Sequence, residues 1–441
     1  MPRLIIGGTS HNSARIWVRG DDMNPVAFLE YGTVGGTPRM AGPLRLVRDD
    51  GYTGVIELKG LRAATPYRCE VRFGHGEDEP AASRIAPGEN RGRFRTAPAK
   101  DTPSDVAFLL VSCNLHHVGF LADPDPAYRT AARLIGDEDA DFMIHCGDQI
   151  YADIQSEGEL VHEFDTLEYY TDKYMDAWNA CKPARRVLTR LPHYMVLDDH
   201  EIADNYARDT ESYPRRAEVA LAVYRRYQDS HNPQTYGAGA YHYAFDHGDK
   251  RFFTLDCRTQ RLAGEGSAPR MIGRDQMQAF KRWLKRHKDD AKFVVSCVPF
   301  VAEVEGRAAE DKWCGEKFRP QREEIIDHIA AESIGRLTFL TGDMHNSLHA
   351  SMDIATADGT TTVHELMSSP INQLQFSPRS SYVEPGPRRT TPKGVGYRSS
   401  IHEFYGDGSN LMVVRVRGDT LAFQIHPTKK NERAPGGSFR V

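Results

Sequence analysis

Two hydrophobic patterns divide the chain. Up to residue 99, short runs rich in β-formers (4–6, 14–18, 27–31, 55–58, 67–73 and 93–95) are separated by turn signals such as Gly7-Gly8, Gly35-Gly36 and Asp49-Asp50-Gly51. Several short strands at this spacing predict a β-sandwich. The stretch 96–105, TAPAKDTPSD, has the Pro, Ala and charge content of a linker. The expected division is a β-sandwich over 1–99 and a larger unit over 104–441.

From residue 104 the pattern changes. Near-continuous apolar runs recur at 106–111, 142–144, 194–197, 252–255, 293–298 and 337–340. Such runs predict strands buried on both faces, the signature of an α/β core. Helical patterns lie between them. The segment 126–136 begins with Pro and ends with Gly. Within 275–287, Met277, Phe280 and Leu284 share one face, and 320–331 does the same with Ile325 and Ile329. A further helix is expected over 214–228, and closing strands over 411–416 and 421–425.

The chemistry lies just past the apolar runs. They end in Ser112-Cys113-Asn114, in His145-Cys146-Gly147-Asp148 and then Tyr151, in Asp198-Asp199-His200-Glu201, in Asp256-Cys257-Arg258, and in Gly342-Asp343-Met344-His345. Open α/β sheets bind ligands beyond the carboxyl ends of their strands. Remote segments therefore deliver Cys, Asp, Tyr, His and Arg to one edge. Converging carboxylates repel one another and resist burial, and a multivalent cation removes both costs. Thiolate, phenolate and imidazole suit a transition metal, whereas carboxylates also suit Ca, Mg or Mn. A mixed site is implied, with one iron-like centre and one or two harder ions. A bridging carboxylate would hold two metals about 3.5–4 Å apart.

Composition narrows the class. Across 441 residues, 56 Lys and Arg stand against 61 Asp and Glu, a formal charge of −5. So mild a balance gives no global attraction to nucleic acid or anionic lipid. No apolar run approaches the roughly 18 residues of a membrane span. Seven scattered cysteines (69, 113, 146, 181, 257, 297 and 314) argue against a disulfide framework and for a reducing compartment. The opening MPRLIIGGTS has no long apolar stretch, so a cytoplasmic location is expected.

The motifs SCN (112–114), HCGDQIYAD (145–153), LDDHE (197–201), LDCRTQR (255–261) and TGDMH (341–345) resemble, in order, those of the PhoD-like alkaline phosphatases, a branch of the calcineurin-like metallophosphoesterase superfamily. The resemblance implies an α/β catalytic fold, a metallophosphoesterase-type β-sheet sandwich flanked by helices. The N-terminal sandwich fits that family's accessory domain. Leu61, six residues before Tyr67, resembles the tyrosine corner of fibronectin type III modules; the alternative is an ordinary strand aromatic.

Carried over residue by residue, Cys113, Tyr151 and His345 resemble ligands of a ferric ion. Asp148 resembles the carboxylate shared between iron and calcium. Asp199 falls where the wider superfamily has a metal-ligating Asn, Asp343 resembles a ligand on the side of the second metal, and His200 falls on a histidine that contacts phosphate and can protonate the leaving oxygen. Arg258 is expected to clamp the substrate phosphate through its guanidinium. The implied cofactors are Fe(III) with one or two Ca2+, Mn, Mg or Zn being substitutes. The implied reaction is hydrolysis of phosphate monoesters, diesters or both by a water whose pKa the metals lower towards about 7. The expected partner is a small phosphate ester, with no specific nucleic acid, on a monomer or weak oligomer.

Departures and alternatives accompany this reading. Secreted family members begin with a twin-arginine signal, which MPRLIIGGTS lacks, and His116 and His117 are additions after the first motif. Cys146, Cys257 and Cys297 are read as core, and His145 as a structural hydrogen-bonding residue. Asp153 is either a support for the site or a polar loop residue. Asp198 either holds His200 or faces solvent. Asp256 is expected to brace Arg258, and Asp204-Asn205 either to close the pocket or to cap a helix. The stretch 376–400, with five basic residues, is either a flap over an anionic substrate or a solvated loop. Rival functions are a phospholipase D-like phosphodiesterase on the same scaffold, a non-catalytic binding protein with a vestigial site, and an iron oxidase.

Overall fold

The apolar run at 106–111 becomes the strand Val106–Val111 because both its faces are covered. Phe108 and Leu110 enter the core between two large sheets, while Leu109 and Val111 enter a second core beneath helices. The computed structural model describes residues 3–76, 90–115, 125–137, 140–154, 165–179, 182–211, 214–237, 239–264, 266, 268–373, 377–428 and 432–441. His116, His117 and Cys181 lie outside them.

The larger body is two sheets packed face to face. One is six-stranded, in the order His193–Met195, Phe142–His145, Val106–Val111, Asn410–Arg417, Thr420–Pro427, Gly436–Arg440. Its first three strands are parallel. The other is eight-stranded, in the order Tyr243–His247, Lys250–Thr254, Lys292–Val295, Leu337–Thr341, Gly359–Met367, Ser347–Thr356, Gly396–Tyr405, Arg389–Thr390. It too has a parallel centre. Between the sheets Phe108 meets Phe252 and Phe293 edge-on at 5.9 and 6.0 Å. Each fully buried aromatic of this kind stabilises the fold by about 1.5–3 kcal/mol through burial alone.

Helices cover the outer faces. Asp125–Asp137 and Lys182–Leu188 pack on the six-stranded sheet through Ala131, Leu134, Ala184 and Val187. Arg274–Arg286 covers the other, with Phe280 and Trp283 against Phe253 at 5.1 and 5.3 Å. Arg319–Ala331 lies in the same layer, with Pro at its start.

The N-terminal strands form a sandwich of a three-stranded sheet (Leu4–Thr9, Ser13–Arg19, Thr53–Lys59) and a four-stranded one (Arg39–Arg45, Val26–Thr33, Pro66–Gly74, Arg91–Arg95). The backbone N–H of Arg62 donates to the Tyr67 hydroxyl at 2.9 Å, so Tyr67 ties down the chain just upstream. The sandwich shares a core with the two-sheet body. Trp17 Nε1 donates to the Arg226 carbonyl at 2.7 Å, and its ring meets Trp178 at 5.6 Å. Tyr194 donates to the Thr9 carbonyl at 2.9 Å. The stretch 96–105 is pinned as well: Ala97 N–H reaches Ser10 O at 3.1 Å and Asp101 N–H reaches Gly248 O at 3.0 Å.

The basic stretch at 376–400 is largely solvent-facing over its described part, yet it is tied down by its own contacts. It contains the strand Arg389–Thr390 and the start of Gly396–Tyr405. Tyr382 donates to Asn346 at 2.9 Å, Arg379 pairs with Glu384 at 2.6 Å, and Arg389 reaches Glu303 at 3.6 Å.

Candidate metal centre at the strand ends

Three parallel strands of one sheet and the strand Leu337–Thr341 of the other end at a common rim. The turns beyond them are tight. Cys113, Asp148, Asp343 and His345 all have left-handed backbones, with φ of 58°, 55°, 73° and 51°. Each such residue costs on the order of 1–3 kcal/mol unless its surroundings enforce it, and such strain gathers at functional sites. Gly147 (φ +101°) shows how close the packing is: a Cβ there would lie 2.4 Å from that of Asp198.

The first cluster joins three segments. Cys113 Sγ lies 3.4 Å from Asp148 Oδ2, and the Tyr151 hydroxyl lies 3.3 Å from the same oxygen. Tyr151 also meets His345 Nε2 at 3.2 Å. Behind them, the Ser369 hydroxyl donates to Cys113 Sγ at 3.1 Å and accepts the His345 backbone N–H at 3.1 Å.

The second cluster adjoins it. Ligand atoms of Asp148, Asp199 and His200 all lie within 4.8 Å of one another, as do those of Asp198, Asp199 and Asp343. His200 Nδ1 is gripped by Asp153 Oδ1 and Oδ2 at 2.8 and 2.9 Å, and its ring packs at a tilt of 32° against Tyr151 with centroids 4.2 Å apart. Asp153, not Asp198, therefore orients this histidine. Asp198 is turned to Arg258 Nε at 2.5 Å. Asp204 N–H donates to Asp153 and Asn205 N–H to Asp199, so both belong to the pocket wall and cap no helix.

Asp148, Tyr151, Asp199, His200, Asp343 and His345 line one cavity of about 630 Å3, with Arg261, Arg307, Lys312 and Lys317 on its walls. Cys113 lies buried beneath it. Arg258 is the exception among the expected site residues. It is fully buried behind the carboxylates, with Asp199 and Asp311 at 3.5 and 3.4 Å besides Asp198, and it is not part of the cavity lining. Asp256 braces its turn by accepting the backbone N–H of Arg258 and Thr259.

Sequence reasoning gave Glu201 and Arg261 no role. The buried Glu201 carboxylate accepts the backbone N–H of Asp148 (3.1 Å), Gln149 (2.6 Å) and Asp198 (2.9 Å), joining two ligand-bearing turns. Arg261 is 2% exposed and lies over the Phe318 ring at 4.5 Å; its Nε and Nη1 have no hydrogen-bond partner among the described residues. Their places at the ends of LDDHE and LDCRTQR were the available signal.

The electrostatics fit a cation site. Burial, reinforced by Asp198 and Asp199, pushes the Asp148 carboxyl well above the carboxylate range. Burial likewise raises the Cys113 thiol, helped by Asp148, and the Tyr151 phenol, helped by Cys113 and Asp148. Asp343 is pushed up to about 7 by burial, although Lys312 opposes it. Burial also works against ionised Asp199, but Arg258, His200 and Lys312 outweigh it and hold that carboxyl low. A crowd of buried anionic donors that resist ionisation together is what a multivalent ion relieves. The thiol, phenol and imidazole set suits a transition metal, and the carboxylates suit a harder ion.

A family model described as PhoD-like phosphatase matches residues 108–417. A comparison with curated protein sequences gives no match. Among solved structures, one titled "Structure of PhoD" superposes with a TM-score of 0.71 at 16% identity, covering 99% of this chain and 89% of that one. Purple acid phosphatase PPD1 from yellow lupin (Lupinus luteus) seeds superposes with a TM-score of 0.66 at 13% identity, covering 99% and 74%. At these identities the likeness establishes the fold.

Proposed function

Because the chain belongs to the PhoD-like phosphatase family, whose chemistry is phosphoester hydrolysis, we propose that it hydrolyses small phosphate esters at the rim cavity by direct attack of water, with no phosphoenzyme. The observation that carries this reading is the unbroken run of contacts from Cys113 to Asp148, from Asp148 to Tyr151 and from Tyr151 to His345, beside the His200–Asp153 pair.

Cys113, Tyr151, His345 and Asp148 would hold an iron-like trivalent ion, and Asp148 and Asp199, beside Asp343, a divalent ion such as calcium. Such ions supply Lewis acidity: they lower the pKa of a water and offset charge on the phosphoryl oxygens. The chain's own groups do the rest. Asp153 fixes Nδ1 of His200, which leaves Nε2 to give a proton to the departing oxygen, a task that contributes about 10²–10⁴-fold. Arg261 lines the cavity where Arg258 does not, and is the guanidinium placed to take the phosphate contact expected of Arg258. Arg307 and Lys317 line the same cavity and add positive charge for an anionic substrate.

The test is turnover of p-nitrophenyl phosphate beside its bis-ester, together with metal analysis of protein purified without chelator. Two or more ions per chain, iron among them, and turnover of either ester support the proposal. Protein that binds no metal and cleaves neither ester would point to the binding-protein reading.

A further inference from the structure

We infer that the Lys312 ammonium is a permanent occupant of the second hard-cation position, so that the loaded centre takes one trivalent and one divalent ion and no third. This rests on the proposed function and settles how many ions that site accepts.

Lys312 Nζ lies 2.6 Å from Asp343 Oδ2 and 2.7 Å from Asp311 Oδ1. Asp343 belongs to the carboxylate triad with Asp198 and Asp199 that would otherwise cage an ion. Lys312 is 6% exposed and cannot swing freely. It sits in a tight turn: its N–H reaches Ala309 O at 3.1 Å, and its carbonyl accepts Gly315 N–H at 3.0 Å. The next residue, Trp313, is fully buried and donates to Ser296 at 3.2 Å. The ammonium is thus held against the carboxylates by the fold. Removing Asp343 to serve a metal would strand a buried charge, which is costly.

Charge balance agrees. Asp198, Asp311 and Asp343 are matched by Arg258, Arg261 and Lys312, at 2.5 Å for Arg258–Asp198, 3.9 Å for Arg261–Asp311 and 2.6 Å for Lys312–Asp343. The donors left for bound ions are Cys113, Tyr151, Asp148 and Asp199, four negative charges when ionised, with His345 neutral. A trivalent and a divalent ion exceed these donors by a single positive charge, and another divalent ion by three; the further buried carboxylate, Glu201, is held by the backbone N–H groups of Asp148, Gln149 and Asp198, so that ion would have no carboxylate of its own.

The experiment is metal counting by mass spectrometry on the full chain with calcium in excess. Wild type is expected to hold two ions, Lys312→Arg two, and Lys312→Gln three, the added one calcium. Three ions in wild type, or no gain in Lys312→Gln, overturns the inference and leaves the proposed function standing. No ion in wild type overturns both. Where Lys312→Gln does not fold, the wild-type count and that of Lys312→Arg decide.

Discussion

The Tyr151 hydroxyl and His345 Nε2 stand 3.2 Å apart although 194 residues separate them in sequence. The contact joins the two large sheets, since Tyr151 comes after a strand of one and His345 after a strand of the other. Cys113 and Asp148 complete the group from beneath. Cys113→Ala should therefore lose iron, together with the visible absorption that thiolate and phenolate donors confer. Metal analysis and an absorption spectrum check this; a variant that keeps its iron and full activity would show the ligand set to be wrong.

Asp148→Asn separates chemistry from folding. Asp148 is buried among carboxylates that push its own carboxyl up, so removing the charge relieves repulsion in metal-free protein. Turnover should vanish while the melting temperature of the chelator-treated variant equals or exceeds that of chelator-treated wild type. Calorimetry beside a kinetic assay reads both.

Asp153→Asn leaves His200 without its carboxylate. Protonation of the leaving oxygen matters most for poor leaving groups, so kcat should drop about 10²-fold on an alkyl phosphate and much less on p-nitrophenyl phosphate. Equal losses on the two esters would remove His200 from the role of acid.

Arg261 and Arg258 should respond differently to loss of charge. Arg261→Met should raise KM about tenfold or more, the signature of a lost phosphate contact, with a smaller loss of stability than Arg258→Met because its nearest carboxylate, Asp311, lies 3.9 Å away. Arg258→Met leaves Asp198 without its guanidinium partner in a buried cluster, a loss of about 3–5 kcal/mol. Urea unfolding and steady-state kinetics on both variants distinguish them; the reverse pattern would restore the phosphate clamp to Arg258.

Acid sensitivity should arise far from the cavity. Burial lowers His193 to about 4 and His231 to about 3, from an ordinary value of 6.5. The folded chain keeps both neutral where the unfolded chain binds protons. Their neutral forms favour folding fully above about pH 6.5, and stability falls as the pH drops from there towards 4. Because the raised carboxyls of Asp343 and Asp148 work in the opposite sense, the histidine contribution is read as a difference: across that window the urea midpoint of His193→Gln should gain on that of wild type as the pH falls. A constant difference between the two would remove His193 from this role.

The parts of the molecule legible in the sequence are those in which local pattern and burial coincide. The apolar runs at 106–111 and 337–340 announce buried strands, and the polar residues just past them announce the rim. The strand Arg39–Arg45 escaped notice because it is largely exposed and contains Gly42-Pro43. The strands Ser347–Thr356, Gly359–Met367 and Gly396–Tyr405 escaped because polar residues interrupt their apolar positions. In the helix Leu167–Asn179 the buried face is Tyr170, Tyr174, Ala177 and Trp178, a helical spacing hidden by residue types that favour strands. Arg258 and Arg261 share one motif and one chemistry; only the fold decides which reaches the cavity. Lys312 has no motif at all.

The strand Val106–Val111, which leads into Cys113, is flanked on one side by Phe142–His145 and on the other by Asn410–Arg417. The turn that carries the Cys113 thiol is thus anchored from both sides by segments far apart in sequence. Local opening of Asn410–Arg417 would loosen that donor without disturbing the turn that holds Asp148 and Tyr151.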